Sequence, residues 1–228
     1  MKTNYHQLIS LGALVALAGY VLSGPVGFGI VKMTNPQPAW VSATVFAENY
    51  HIVQDMPYYF GLLLIGGMLM LAAGHYLNSK MENEENRFHI LLSLAWTTVF
   101  AALIFFNYIC QTTFIRHLAL DFKPENEAII ATFSMANPMS LSWAIEMWGY
   151  GILGVATWLL SGYYSTKNKA IYWLLIVNGI VSILTVVFTI IDVKWLLTTA
   201  GLISYFAWNV LMIALMTLIY RNAKKATL

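Results

Sequence analysis

The sequence predicts an all-α, polytopic membrane helix bundle of about six transmembrane helices. Three observations predict it. The 228 residues are 59% hydrophobic and only 10% charged, with a mean hydropathy of +0.68, where a soluble domain carries about 25% charged residues. The apolar residues fall into six runs near the length of about 20 residues that a spanning helix needs. Lys and Arg collect in alternate connections, as the positive-inside rule requires. The whole chain, 1–228, reads as a single integral membrane domain.

The predicted spans are Gln7–Val31, Tyr58–Leu77, Ile90–Ile115, Leu141–Tyr164, Ala170–Ile191 and Trp195–Tyr220. The first run continues from about Gln7 to Lys32, too long for the apolar region of a signal peptide. With both termini cytoplasmic, the inner side carries Lys2, Lys80, Arg87, Lys167, Lys169, Arg221, Lys224 and Lys225, and the outer side Lys32, Arg116, Lys123 and Lys194. Trp and Tyr at span ends, such as Trp40, Tyr58, Trp173 and Trp195, suit interfacial belts. That orientation implies a multi-pass protein in contact with the lipid bilayer.

Both long connections, Lys32–Pro57 and Arg116–Ser140, then face outward. In the first, Trp40, Val41, Phe46, Tyr50 and Val53 share a helical face, which predicts a short interfacial helix over Trp40–Asp55. Glu48, His51 and Asp55 lie on one side of it, a carboxylate–imidazole–carboxylate group that reads as a solvated face or as part of a lid. A second short helix is predicted over Glu125–Met135. Asn137-Pro138 reads as an N-cap and first-turn proline opening the fourth span.

Small residues mark close packing. The first span has Gly12, Ala16, Gly19, Ser23 and Gly27 at spacings of three and four, and the second has Gly61, Gly66, Gly67, Ala73 and Gly74. Pro25 should kink the first span and free the carbonyl of Val21. The two halves show no internal repeat, so the inverted-repeat argument for a transporter finds no support.

Glu146 is the sharpest functional pointer. A carboxylate in a spanning segment costs roughly 2.5–3.5 kcal/mol on insertion scales, so it must face protein or a water-filled cavity. Helical rise puts it roughly 10 Å outward of its span's midplane. Ser142, Glu146 and Tyr150 share a face, as do Asn107 and Gln111 on the third span. The fifth span has a polar stripe of Asn178, Ser182, Thr185, Thr189 and Asp192, and the sixth has Thr198, Tyr205 and Asn209. If these faces converge, they form an outward-facing chamber walled by Trp143, Trp148, Trp208, Tyr108 and Tyr205. Glu146, Asn107, Gln111, Tyr150, Ser142 and Trp143 are then the ligand-binding residues. Three roles stand open for Glu146: charge partner of a small cationic or amphipathic ligand, proton-coupling group, or a structural carboxyl bonded to Gln111 or Asn107. A lipid-modifying enzyme and an oligomeric or assembly membrane protein are the alternative classes.

Other chemistries are excluded. A net charge of +2 with no basic cluster of five residues argues against nucleic acid. The single Cys110 excludes an intrachain disulfide and any multi-cysteine metal site. His75 and His89 differ by roughly 7 Å in depth, which fails the matched depth of haem ligands. HExxH, GxSxG and GxxxxGK[ST] do not occur. No cofactor and no metal site are expected. Glu82, Glu84 and Glu85 make a solvated turn.

The stretch WGYGILGVATWLLSGYYSTKNKAIYWLLIVNGIVSILTVV resembles the later helices of bacterial six-span membrane families of unknown function. That resemblance implies a bacterial inner-membrane protein and supplies no site residues. The span number and length also resemble the substrate-binding subunits of energy-coupling-factor vitamin transporters. Those dock their energising module through first-span alanines four apart; Ala13, Ala16 and Ala18 approximate that motif at a different spacing.

Overall fold

The computed structural model describes residues 5–82 and 85–226, without the side chain of Glu82. Lys2 and Glu84, counted above, lie outside the described residues. Among the described residues the fold is all helix, with no strand. The long helices are α1 (Tyr5–Thr34), α3 (Met56–Glu82), α4 (Arg87–Leu120), α6 (Leu141–Tyr164), α7 (Lys169–Ile191) and α8 (Thr199–Lys225). Two short ones, α2 (Ala43–Glu48) and α5 (Glu127–Phe133), sit in the long connections.

Five of the long helices, α1, α3, α4, α7 and α8, are long and apolar enough to cross a membrane. Helix α6, the fourth of the six predicted spans, is long enough but less apolar than the other five. Its 24 residues give about 36 Å, ample for a span, but glycines, tyrosines, serines and Glu146 lower its hydropathy. The reason is its location. Most of its polar residues are buried against α4 and α7, so protein, not lipid, surrounds them.

The six long helices close a ring in the order α1, α3, α4, α6, α7, α8 and back to α1. The α1–α3 junction is the most extensive and α7–α8 the thinnest. One core cluster runs through all six, from Ile9 and Ala16 through Phe100 and Leu153 to Leu175 and Met212.

The small-residue stripes do what their spacing predicts. A Cβ on Gly12 would stand 2.6 Å from the backbone nitrogen of Leu71, and Cβ atoms on Gly19 and Gly67 would collide with the backbones of Leu64 and Ala16. Helices α1 and α3 therefore meet backbone to backbone. Ala13 and Ala16 are fully buried, and Ala16 lies under Gly67, so they pack the bundle rather than form a docking stripe. Gly154 and Gly179 do the same for α6 and α7, with the Gly179 Cβ position 3.0 Å from the Gly154 carbonyl.

Two long helices carry a π turn. In α1 it is Leu22–Val26, around Pro25. The missing N–H is absorbed by widening the helix, a standard accommodation of proline. In α4 it is Cys110–Ile115, which no sequence signal announces.

The loop helices differ from expectation. The predicted helix Trp40–Asp55 breaks after Glu48, and a 3-10 turn, Ile52–Asp55, follows. The cause is His51, whose extended backbone and Nδ1, accepting from Val53 N at 3.2 Å, start the new turn. Helix α6 begins at Leu141, not after Asn137-Pro138. Its N-cap is Ser140, whose hydroxyl accepts from Trp143 N at 3.0 Å. Asn137 instead closes the preceding turn, donating to the Ala131 carbonyl and accepting from Met139 N. The last span starts at Thr199, capped by Thr198, after a 3-10 turn at Trp195–Leu197. Helices α2 and α5 pack their apolar sides onto the end of α4 in a second cluster with Phe46, Ile115 and Ile130. They close one end of the ring.

Adjacent glycines on α3 test the α1–α3 contact. Gly67→Ala drives a methyl into Ala16 and is expected to cost about 1–3 kcal/mol. Gly66→Ala, where nothing lies within 4 Å, should be neutral or stabilising on helix propensity. Thermal unfolding of the two purified variants checks the difference.

Candidate functional site

At the loop end of the ring lies a cavity of about 410 Å³ to which all six long helices contribute. Its wall includes Tyr20 of α1, Tyr58 of α3, Tyr108 of α4, Glu146 of α6, Thr185 of α7 and Trp208 of α8. The proposed convergence of four spans is thus extended to six.

Glu146 is buried, with 8% of its surface exposed, and lines the cavity. With α6 starting at Leu141, it sits on the second turn rather than the third. Its Oε2 accepts from Asn107 Nδ2 at 2.9 Å and its Oε1 from the Tyr108 hydroxyl at 2.9 Å. The Tyr150 hydroxyl lies 3.2 Å from that of Tyr108, which extends the chain of polar atoms along the wall. Among the described residues no Lys, Arg or His lines the cavity. The wall therefore presents one carboxyl group, with acceptor capacity beyond two hydrogen bonds, and no cation to neutralise it.

Tyr108 reaches Glu146 because Gly61 of α3 leaves room for it. A Cβ on Gly61 would collide with the Tyr108 ring. Tyr58 packs at a tilt against the same ring at 5.4 Å, and Phe100 against Tyr150 at 5.6 Å. Trp208 stands edge-on to Tyr150 at 5.3 Å and to Tyr20 at 5.5 Å. Its indole N–H donates to Asn178 Oδ1 at 2.9 Å, and Asn178 Nδ2 donates to Thr157 Oγ1 at 2.8 Å. Trp143 completes the wall, its indole N–H held by the Val193 carbonyl at 3.0 Å.

The six residues expected to bind ligand divide into two groups. Glu146, Tyr150 and Trp143 line the cavity. Asn107, Gln111 and Ser142 are buried and are not among the residues that line it. Asn107 also donates to the Ser142 carbonyl at 3.1 Å and to Met135 Sδ at 3.3 Å. Gln111 does not reach Glu146. From the π turn of α4 it donates to the Phe133 carbonyl at 2.8 Å and accepts from Met135 N at 2.9 Å. It thus pins the loop after α5 in the manner of a strand partner. The π turn supplies the offset that aims Gln111 at the loop.

Trp148, expected in the wall, is 48% exposed on the outside of the bundle, and Asp192 serves as an acceptor for Lys194 N in a turn. Glu48, His51 and Asp55 do not come together and none lines the cavity. Glu48 and His51 are exposed, while Asp55 is buried and accepts from the Tyr50 hydroxyl at 2.6 Å. Burial first, and then this bond, raise the pKa of Tyr50, so it remains the donor. The break after Glu48 is what separates the three.

Sequence reasoning missed Tyr20, Tyr58 and Gln37 as wall residues. Tyr20 is one turn from Gly24 and Pro25, so the proline pointed at the right level of α1 without naming it. Among the described residues, three buried polar atoms on the wall have no hydrogen-bond partner: Tyr20 Oη, Gln37 Nε2 and Asn209 Oδ1. Among the described residues no group of three or more His, Cys, Asp or Glu side chains could hold a metal ion.

Comparison with protein-family models, with curated proteins and with solved structures finds no match to this chain. The site's chemistry therefore rests on its own geometry.

Tyr108→Phe keeps the ring in its Gly61 slot and removes one donor to Glu146. It is expected to cost about 1–3 kcal/mol, the range for stranding a buried polar group, read as a lower thermal midpoint. Gln111→Leu should leave the bundle intact and release the segment around Phe133–Met135. Limited proteolysis should then cut between α5 and α6 faster than in the parent protein.

Proposed function

We propose that the protein binds a small amphipathic cation in this cavity, with Glu146 as its charge partner. The observation that carries the reading is a buried carboxyl group on the wall of an aromatic cavity that, among the described residues, has no basic side chain in its lining. Helix–helix contact alone would be served by a carboxyl group closed in on every side. Here it is bonded on one flank and borders space on the other. An ammonium group is the complement of an acceptor-only carboxylate, and the Tyr and Trp faces beside it favour a cation further. The volume of about 410 Å³ lies in the range of small-molecule sites, about 300–1,000 Å³.

The membrane setting supports the same reading. Lys80, Arg87, Lys167, Lys169 and Arg221 lie at the end opposite the cavity. On the positive-inside rule that end is cytoplasmic, the cavity faces the outside of a bacterial inner membrane, and uptake or sensing of an external compound is the consistent physiological role.

The test is titration calorimetry of octylamine against the protein in lipid nanodiscs, with empty nanodiscs subtracted. The parent protein should bind octylamine and not octanol. Glu146→Gln, similar in shape but uncharged, should weaken binding at least tenfold. Equal binding by the Gln variant, or none by the parent, would show that Glu146 is a structural carboxyl group.

A further inference from the structure

We propose that the α1–α8 wall of the cavity is a second, uncharged subsite that takes a hydroxyl group, and that the ligand is therefore an amphipathic amino alcohol. The inference rests on the reading of Glu146 as the charge partner and adds the other end of the ligand.

Two side chains define the subsite. Tyr20 and Asn209 are only 4% and 5% exposed, line the cavity, and each has a polar atom without a partner, Tyr20 Oη and Asn209 Oδ1. Leaving such atoms unpaired is costly in a buried setting, and most buried polar groups find partners. Asn209 is oriented. Its Nδ2 donates to the Tyr205 carbonyl at 2.7 Å, which leaves Oδ1 as the free end and fixes it as an acceptor. Tyr20 Oη can donate or accept.

The backbone of α1 makes the room. Gly24, one turn beyond Tyr20, lies in the π turn at Pro25, and a Cβ there would stand 3.3 Å from Asn209 Oδ1. Any larger side chain would cover the atom. The absence of a Cβ leaves only the backbone of α1 beside this atom.

The chemistry of the two free atoms selects the group. Asn209 Oδ1 needs a donor, and Tyr20 Oη can supply one. A ligand hydroxyl satisfies both at once, accepting from Tyr20 and donating to Asn209. An ammonium group would leave the Tyr20 hydroxyl without an acceptor, and a carboxylate would repel Asn209 Oδ1. The distance between subsites is set by Trp208. Its ring lies between Tyr150, beside Glu146, and Tyr20. The ligand accordingly carries an apolar stretch that passes the Trp208 ring, with the amine at one end and the hydroxyl at the other.

The experiment compares octylamine with its ω-hydroxy derivative on nanodisc-embedded parent protein, Asn209→Leu and Tyr20→Phe. The readout is the ratio of the two affinities, which cancels any general change in the cavity. Two neutral hydrogen bonds of ordinary net strength correspond to about tenfold. The ratio should favour the hydroxylated amine in the parent and fall by about that factor in Asn209→Leu, with part of the loss in Tyr20→Phe, which keeps its ring against Trp208. A ratio unmoved by both variants, with octylamine still dependent on Glu146, overturns the subsite alone. Octylamine binding that ignores Glu146→Gln overturns the charge-partner reading and the subsite with it.

Discussion

The burial of one carboxyl group organises this molecule. Glu146 cannot be left unpartnered inside an apolar bundle without a cost of several kcal/mol, and both of its partners come from α4, Asn107 and Tyr108. Those two residues are placed by further constraints. Tyr108 needs the slot that Gly61 leaves in α3. Asn107 divides its donors among Glu146, the Ser142 carbonyl and Met135. Satisfying one group thus fixes the relative height of α4 and α6, the approach of α3, and the course of the chain after α5.

The same end of the bundle holds both irregular turns. Regular helices would present Gly24 and Gln111 at other angles. The π turn in α1 brings a side-chain-free backbone against Asn209. The π turn in α4 aims Gln111 at the Phe133 carbonyl and Met135 nitrogen. Extra-wide turns concentrate at functional sites in many helical proteins, and here both border or brace the cavity. Away from it, glycines at close approach give α1–α3 and α6–α7 the backbone contact that packing in lipid demands.

Much of the fold was legible in the sequence, because a bilayer leaves few options for an apolar run of spanning length. The spans, the close-packing stripes and the gathering of polar groups at one level all follow from period and hydropathy. The order of helices around the ring was not legible, since a stripe says that a face is buried and not against what. That is why Tyr20 and Tyr58 went unassigned and why Gln111 was placed beside Glu146 rather than under the loop. Trp148 shows the same limit from the other side: an aromatic two residues beyond Glu146 turns outward to the exposed face. The lid failed for a local reason. Amphipathic period ran on through Asn49-Tyr50-His51, while the backbone broke there and His51 capped a new turn.

Trp208 has a consequence beyond recognition. Its ring touches Tyr20 of α1 and Tyr150 of α6, and its N–H is tied to Asn178 of α7. One indole on α8 therefore senses three other helices at once, across the thinnest junction of the ring. Indole emission shifts with local polarity and with loss of its hydrogen bond. A sliding of α8 against α7 would change both, so the protein carries a built-in optical gauge of its own ring closure, readable without an attached dye once the remaining tryptophans are replaced.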